Sequence, residues 1–393
     1  MTRLSRTIRD ALLGSVLGLL AASACGYDGT VEKKTFTLAS YTTVAGKTIK
    51  NMRVGYETYG TLNAAGDNAI FIPHFYSGTS HAAGKYDAKD VAPGYWDAII
   101  GSGKPIDTDQ YFVVSADTLV NLNTKDPRVV TTGPATIDPD TGKPYGMKFP
   151  VVAYRDSVRV HKALVDSLGV KKLYAVAGAS GGSLQAMEWA ALYPDFVDRV
   201  VHVIGPGFDL QPYVVEMVAL WVMPIRLDPK WNGGDYYGKD EPLDGVARGL
   251  EIVTANTRHH IWAEKSFGYK WADTAKNPAD AIDNVYAIED TLAKGGTARA
   301  KLVDANSMIY MSKANQLYHL SDEEVKRIRA KILFVPASSD LVFPPELAKK
   351  AAERYRAQGG TAEVFVIEGD GGHLDGLLAV AKAGEAIRAF LGK

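Results

Sequence analysis

Polar and apolar positions alternate through KTFTLASYTTV and MRVGYETYG between residues 31 and 60, a period of two that predicts an antiparallel strand pair opening a sheet. The pattern then changes to short unbroken apolar runs: Ala69–Pro73, Tyr111–Ser115, Leu173–Ala177, Val200–Ile204, Ile332–Val335 and Glu363–Ile367. Runs of this length are expected of strands covered on both faces, as in a parallel sheet. Helical spacing separates several of them. Asp156–Leu168 carries Val158, Leu164, Val165 and Leu168 on one face, and Ser183–Tyr193, Pro345–Gln358 and Leu374–Leu391 read as further helices. Strand–helix alternation of this kind predicts an α/β fold with a mostly parallel, doubly wound sheet.

The rhythm breaks between about residues 207 and 325, where Trp, Tyr and Met are frequent, the periodicity is helical and no strand pattern stands out. This stretch reads as a helical cap over the strand C-termini, inserted before the last two strands. The organisation expected is a core domain of residues 26–206 and 326–393 with a cap of 207–325. Residues 1–24 join a basic segment to a short apolar run ending in Ala22-Ser23-Ala24, the pattern of a removed signal peptide. That predicts an exported protein, periplasmic or secreted. Cys25, the only cysteine, follows directly; it is either a lipid-modified first residue, and so a membrane anchor, or the plain first residue of a soluble chain. The chain can form no internal disulfide. With 44 Lys+Arg against 45 Asp+Glu, it has no basic surplus for a phosphate backbone, so nucleic acid is not an expected partner.

Candidate chemistry sits at three separated positions. Gly178-Ala179-Ser180-Gly181-Gly182 is a G-x-S-x-G between the apolar run LYAVA and the helical SLQAMEWAALYP. A tight strand-to-helix turn needs glycines around the serine and lifts its hydroxyl above the sheet, making Ser180 the candidate nucleophile. A serine hydroxyl needs an imidazole to take its proton and a carboxylate to orient that imidazole. Of eight histidines, only His373 follows a late strand in a Gly-rich turn ahead of a C-terminal helix. The expected acid is Asp340, after ILFVPASS, with Asp370 as its competitor. The order Ser180, Asp340, His373 is that of α/β-hydrolases. Two backbone amides should hold the oxyanion: Gly181, and Tyr76 in the loop after AIFIP. Gly101-Ser-Gly-Lys104 lacks the Ser/Thr of a phosphate loop, and Asp138-Pro-Asp140-Thr-Gly142 lacks the later acidic ligands of a calcium loop. Neither a metal nor a cofactor is predicted.

Several stretches resemble the homoserine O-acetyltransferase family of the α/β-hydrolase superfamily: Ser80-His-Ala-Ala-Gly84, Pro93-Gly-Tyr-Trp-Asp97, Gly101 through Asp109, Thr141 through Gly146, Gly178 through Trp189, Asp228 through Tyr236 and Asp304 through Tyr310. The resemblance implies the α/β-hydrolase fold and a homodimer formed through the cap. It also implies an acetyl group passing from acetyl-CoA to a triad serine and then to the homoserine hydroxyl, with Ser180, Asp340 and His373 as the triad. The chain departs from the family pattern in the cap. Positions where the resemblance implies an Arg and, seven residues on, a Tyr are Leu250 and Thr257, with Arg258 retained. Leu374 interrupts the family's His-Asp pair. Phe75, Leu250, Thr257, Arg258 and Tyr236 are the candidate substrate contacts, within a pocket shaped by Trp221, Tyr213, Tyr236 and Tyr237. A lost guanidinium removes a clamp for an amino-acid carboxylate. Together with export, this directs the expectation to a serine hydrolase acting on a small acyl ester; O-acetyl transfer from acetyl-CoA to a homoserine-like hydroxyl is the alternative.

Overall fold

The computed structural model describes residues 28–393; the expectations for residues 1–24 and Cys25 fall outside them. The alternating segment forms β1 (Lys34–Thr42) and β2 (Thr48–Tyr59). The apolar runs form β3 (Ala69–Pro73), β4 (Phe112–Ala116), β5 (Leu173–Ala179), β6 (Arg199–Val203), β7 (Lys331–Val335) and β8 (Ala362–Val364). Together they make one eight-stranded sheet, ordered β1-β2-β4-β3-β5-β6-β7-β8. β2 pairs antiparallel with β1 and with β4, and all other pairs are parallel. This is the α/β-hydrolase fold.

The unbroken apolar character of the central strands follows from two separate cores, because successive side chains leave a strand on opposite faces. Phe71, Val114, Val176 and Val200 join Val158, Leu164 and Val165 of α1 (Tyr154–Ser167) and Leu184, Met187 and Trp189 of α2 (Gly181–Leu192). Ile70, Ile72, Val113, Ala175, Ala177 and Val201 face the other way, against Trp96 and the C-terminal Ile387, Phe390 and Leu391.

Between β6 and β7 run α3 (Pro212–Leu227), α4 (Leu243–Thr257), α5 (His260–Ser266), α6 (Ala287–Ala300), α7 (Ala305–Gln316) and α8 (Asp322–Arg327). Gly296 lets α6 lie directly on α4, since a Cβ there would stand 2.4 Å from the Ala247 carbonyl oxygen. This close approach fixes which face of α6 turns toward the strand ends.

Two elements differ from the pattern-based reading. The last strand ends at Val364 rather than Ile367, although Ile367 still donates to the Pro336 carbonyl (2.8 Å). Pro336 has no N–H to return, so the ladder cannot continue as a regular pair. The segment Leu374–Leu391 is not one helix. After α9 (Pro345–Ala357), it divides into short turns and two helices, α10 (Asp375–Leu378) and α11 (Gly384–Leu391). Trp96 Nε1 donates to the Gly376 carbonyl (3.3 Å) within this broken stretch.

Candidate active site

Ser180 sits at the turn between β5 and α2 with φ 54° and ψ −122°, a conformation costly for any residue bearing a side chain. The surroundings enforce it. Ser180 N–H donates to the Val203 carbonyl (2.9 Å), and the Ser180 carbonyl accepts from the Ser183 (2.8 Å) and Leu184 (3.2 Å) amides. The flanking glycines are required by space. A Cβ at Gly178 would lie 2.3 Å from the Gly182 carbonyl oxygen, one at Gly182 2.2 Å from that of Pro73, and one at Gly181 2.5 Å from the Tyr154 hydroxyl.

His373 Nε2 lies 2.8 Å from Ser180 Oγ, and His373 Nδ1 lies 2.7 Å from Asp340 Oδ2. The second Asp340 oxygen accepts from the Val342 (2.8 Å) and Phe343 (3.0 Å) amides, so the carboxylate is held on both sides. Asp340 and His373 are both buried. The two loops are tied together by Gly372 N–H, which donates to Ser339 Oγ (3.0 Å), and the His373 loop is braced internally by Gly371 N–H on Asp375 Oδ2 (2.9 Å). Asp370, the competing acid, points outward and pairs with Lys265. Two other buried histidines lie apart from Ser180. His202 packs on Phe334 inside the sheet, and His161 Nε2 meets the Asp117 carbonyl.

The loop after β3 brings the Tyr76 amide nitrogen next to Gly181, 3.2 Å from where a Cβ there would stand. Among the described residues neither amide is taken by a protein acceptor. His74 orients this peptide. Its Nδ1 meets the Phe75 carbonyl at 2.7 Å, and its Nε2 meets the Thr118 amide (3.1 Å) and Asn121 Nδ2 (3.2 Å). Both Nε2 partners are donors, so Nε2 is the acceptor and Nδ1 carries the hydrogen. Burial lowers the His74 pKa and keeps the ring neutral, as this network needs. Fixing the Phe75 carbonyl on one side of the peptide plane turns the Tyr76 N–H to the other. His74→Leu should therefore lower kcat about 100-fold, the size of effect for a misplaced oxyanion donor, with a much smaller change in KM. Steady-state kinetics beside a thermal melt check this.

A cavity of about 140 Å³ opens over Ser180 and His373, walled by Phe75, Tyr76, Trp221, Val253, Leu374 and Leu377. Thr257, Thr254, Ser77 and Arg299 complete it. Of the candidate substrate contacts, Phe75 and Thr257 line this cavity. Three do not. Leu250 is fully buried in the core that α4 shares with its neighbouring helices. Arg258 caps α4 and lies over the Trp262 ring, 4.6 Å from its centre. Tyr236 is buried away from the cavity, its hydroxyl bonded to Asp304 Oδ1 (2.5 Å) and the Asn306 amide (3.0 Å). Among the aromatic residues expected to shape the pocket, Trp221 does so, whereas Tyr213 is exposed and Tyr237 bonds Asp304. Arg299, on α6, was not singled out by sequence; only the packing of α6 on α4 brings it here.

A family model for the alpha/beta hydrolase fold matches residues 94–379. The homoserine O-acetyltransferase of Deferribacter desulfuricans is 37% identical over 359 residues, which cover 89% of this chain and 92% of that protein. The chain belongs to the homoserine O-acetyltransferase family of α/β-hydrolases. The crystal structure of homoserine O-acetyltransferase from Bacillus anthracis superimposes with a TM-score of 0.88 at 36% identity, covering 93% of this chain and 98% of that one. That of esterase E22 gives a TM-score of 0.88 at 44% identity, covering 92% and 100%. The curated relatives correct the expectation of an exported esterase: they are homoserine O-acetyltransferases, which favours acyl transfer over hydrolysis. That expectation leaned on export and on the missing guanidinium at position 250, and Leu250 is not among the residues that line the cavity.

Proposed function

We propose that this chain is an O-acyltransferase that moves an acetyl group from acetyl-CoA to the hydroxyl of a homoserine-like acceptor. The observation that carries the reading is the Ser180–His373–Asp340 chain of hydrogen bonds in a protein whose curated relatives are homoserine O-acetyltransferases.

In this reading Ser180 Oγ attacks the thioester carbonyl while His373 Nε2 takes its proton. The carbonyl oxygen becomes an oxyanion held by the Tyr76 and Gly181 amides at the positive end of α2. Collapse breaks the C–S bond, His373 returns the proton to the departing thiolate, and an acetyl-serine remains. The acceptor hydroxyl then gives its proton to His373 and attacks the acetyl carbonyl. Collapse of the second tetrahedral intermediate breaks the Ser180 ester bond, and Ser180 recovers its proton from His373. Asp340 keeps Nδ1 protonated and stabilises the imidazolium in both halves. The apolar walls around Ser180 favour an alcohol over water as the second nucleophile by limiting the room for bulk solvent.

The test is thiol release from acetyl-CoA by purified protein, with and without L-homoserine. Homoserine should accelerate release and yield O-acetylhomoserine in equal amount. Ester cleavage dependent on Ser180, with acetyl-CoA left intact in the presence of homoserine, would contradict the reading.

A further inference from the structure

Among the described residues Arg299 is a cation with no counter-ion, in the cavity that holds the nucleophile. It lies on the turn of α6 after Gly296, the residue that lets α6 touch α4, and it lines the same space as Ser180 and His373. A guanidinium carries five N–H donors. Among the described residues its one hydrogen bond is from Nη1 to Thr254 Oγ1, at 3.3 Å. Thr254 Oγ1 donates its own hydrogen to the Leu250 carbonyl (2.8 Å), which leaves a lone pair aimed at the arginine. No carboxylate of the described residues stands within ion-pair distance of Arg299, although the protein pairs many other exposed or half-buried arginines in that way. Burial pulls its pKa below the usual arginine value, offset in part by the neighbouring Tyr76. An arginine in a protein keeps its charge all the same. A half-buried, uncompensated guanidinium among apolar walls is unfavourable in the free protein, and an anionic ligand would relieve it.

We infer that Arg299 anchors a carboxylate on the acyl acceptor and so selects acidic or amino-acid alcohols over neutral ones. The acceptor's identity rests on the acyl-transfer reading above; the anion site itself does not. The planar fork matches a carboxylate with two parallel hydrogen bonds, and one end of a short hydroxy acid held there leaves the hydroxyl close to Ser180. The nucleotide phosphates of acetyl-CoA are a poorer match. They sit at the far end of a long pantetheine arm from the reacting thioester, and a cavity of about 140 Å³ is too small for a nucleotide.

The experiment has two readouts on the full chain and on R299M and R299K. The first needs no turnover: protection of Ser180 by butyrate or butyramide against phosphorylation by paraoxon, a neutral reagent whose p-nitrophenolate release reports the reaction. In the wild type butyrate should protect at lower concentration than butyramide. Met at position 299 should erase that preference, a loss of about 10- to 100-fold for one charged hydrogen-bonding partner, and Lys should retain part of it. The second is the ratio of kcat/KM for L-homoserine to that for homoserinol, which should fall in the same order. Equal protection by the two compounds in the wild type, or a butyrate preference that survives in R299M, would overturn the inference. Failure of the acyl-transfer reading is separate and shows in the wild type alone, as no acceleration by either alcohol.

Discussion

Ser180→Ala should abolish acetyl transfer, lowering kcat on the order of 10⁵- to 10⁶-fold, the effect of removing a triad nucleophile whose partners act only through it. The geometry makes this a clean test. The side chain of Ser180 makes one hydrogen bond, to His373 Nε2. The strained turn is held by backbone bonds from Ser180 to Val203, Ser183 and Leu184, which alanine keeps. The oxyanion amides of Tyr76 and Gly181 also remain. The variant should consequently melt within about 1 kcal/mol of the wild type while losing its activity, as expected where a strained functional residue is replaced without loss of core contacts. Transfer kinetics and a thermal melt on the same preparation check both halves. A variant that retained a tenth of the activity would mean that some other group carries the acetyl, or that transfer is direct.

Asp340→Asn should lower kcat about 10⁴-fold, through the tautomer of His373. One Asp340 oxygen accepts two backbone N–H groups, from Val342 and Phe343, and the other accepts His373 Nδ1. An asparagine has a single oxygen, and the two amides claim it. Its NH₂ then faces Nδ1, and two donors cannot share a hydrogen bond. The ring answers by moving its hydrogen to Nε2, which points that hydrogen at Ser180 Oγ and leaves no base to take the serine proton. Substrate binding contacts are untouched, so KM should change far less than kcat. Steady-state kinetics separate the two, and a large rise in KM with kcat preserved would point instead to collapse of the loop.

The sheet was legible because its signals are local. Period-two alternation marked β1 and β2, and unbroken apolar runs marked strands covered by two cores. Ser180, Asp340 and His373 were legible for a related reason, since each lies in the segment that follows a strand, where the fold gathers side chains from distant parts of the chain. The cavity wall was not legible in the same way. Counting along α4 puts Leu250 and Thr257 on one face but does not tell how far along the helix the cavity extends; Val253, Thr254 and Thr257 line it and Leu250, at the other end of that stripe, does not. Tyr236 looked like a pocket aromatic, yet Asp304 and the Asn306 amide claim its hydroxyl. Arg299 looked like any polar residue of an amphipathic helix. Only the contact at Gly296, between two helices far apart in sequence, turns it toward Ser180. His74 gave the same difficulty, because its role depends on Thr118 and Asn121, which no motif near it announces.

In the transfer reaction an acetyl group rests on Ser180 and leaves for an alcohol rather than for water. Intact-protein mass spectrometry after rapid mixing with acetyl-CoA tests this directly. A single acetyl adduct, mapped to the peptide containing Ser180, should form and persist in buffer, then vanish on addition of L-homoserine as O-acetylhomoserine appears. An adduct that decays at the same rate with and without homoserine would contradict the account.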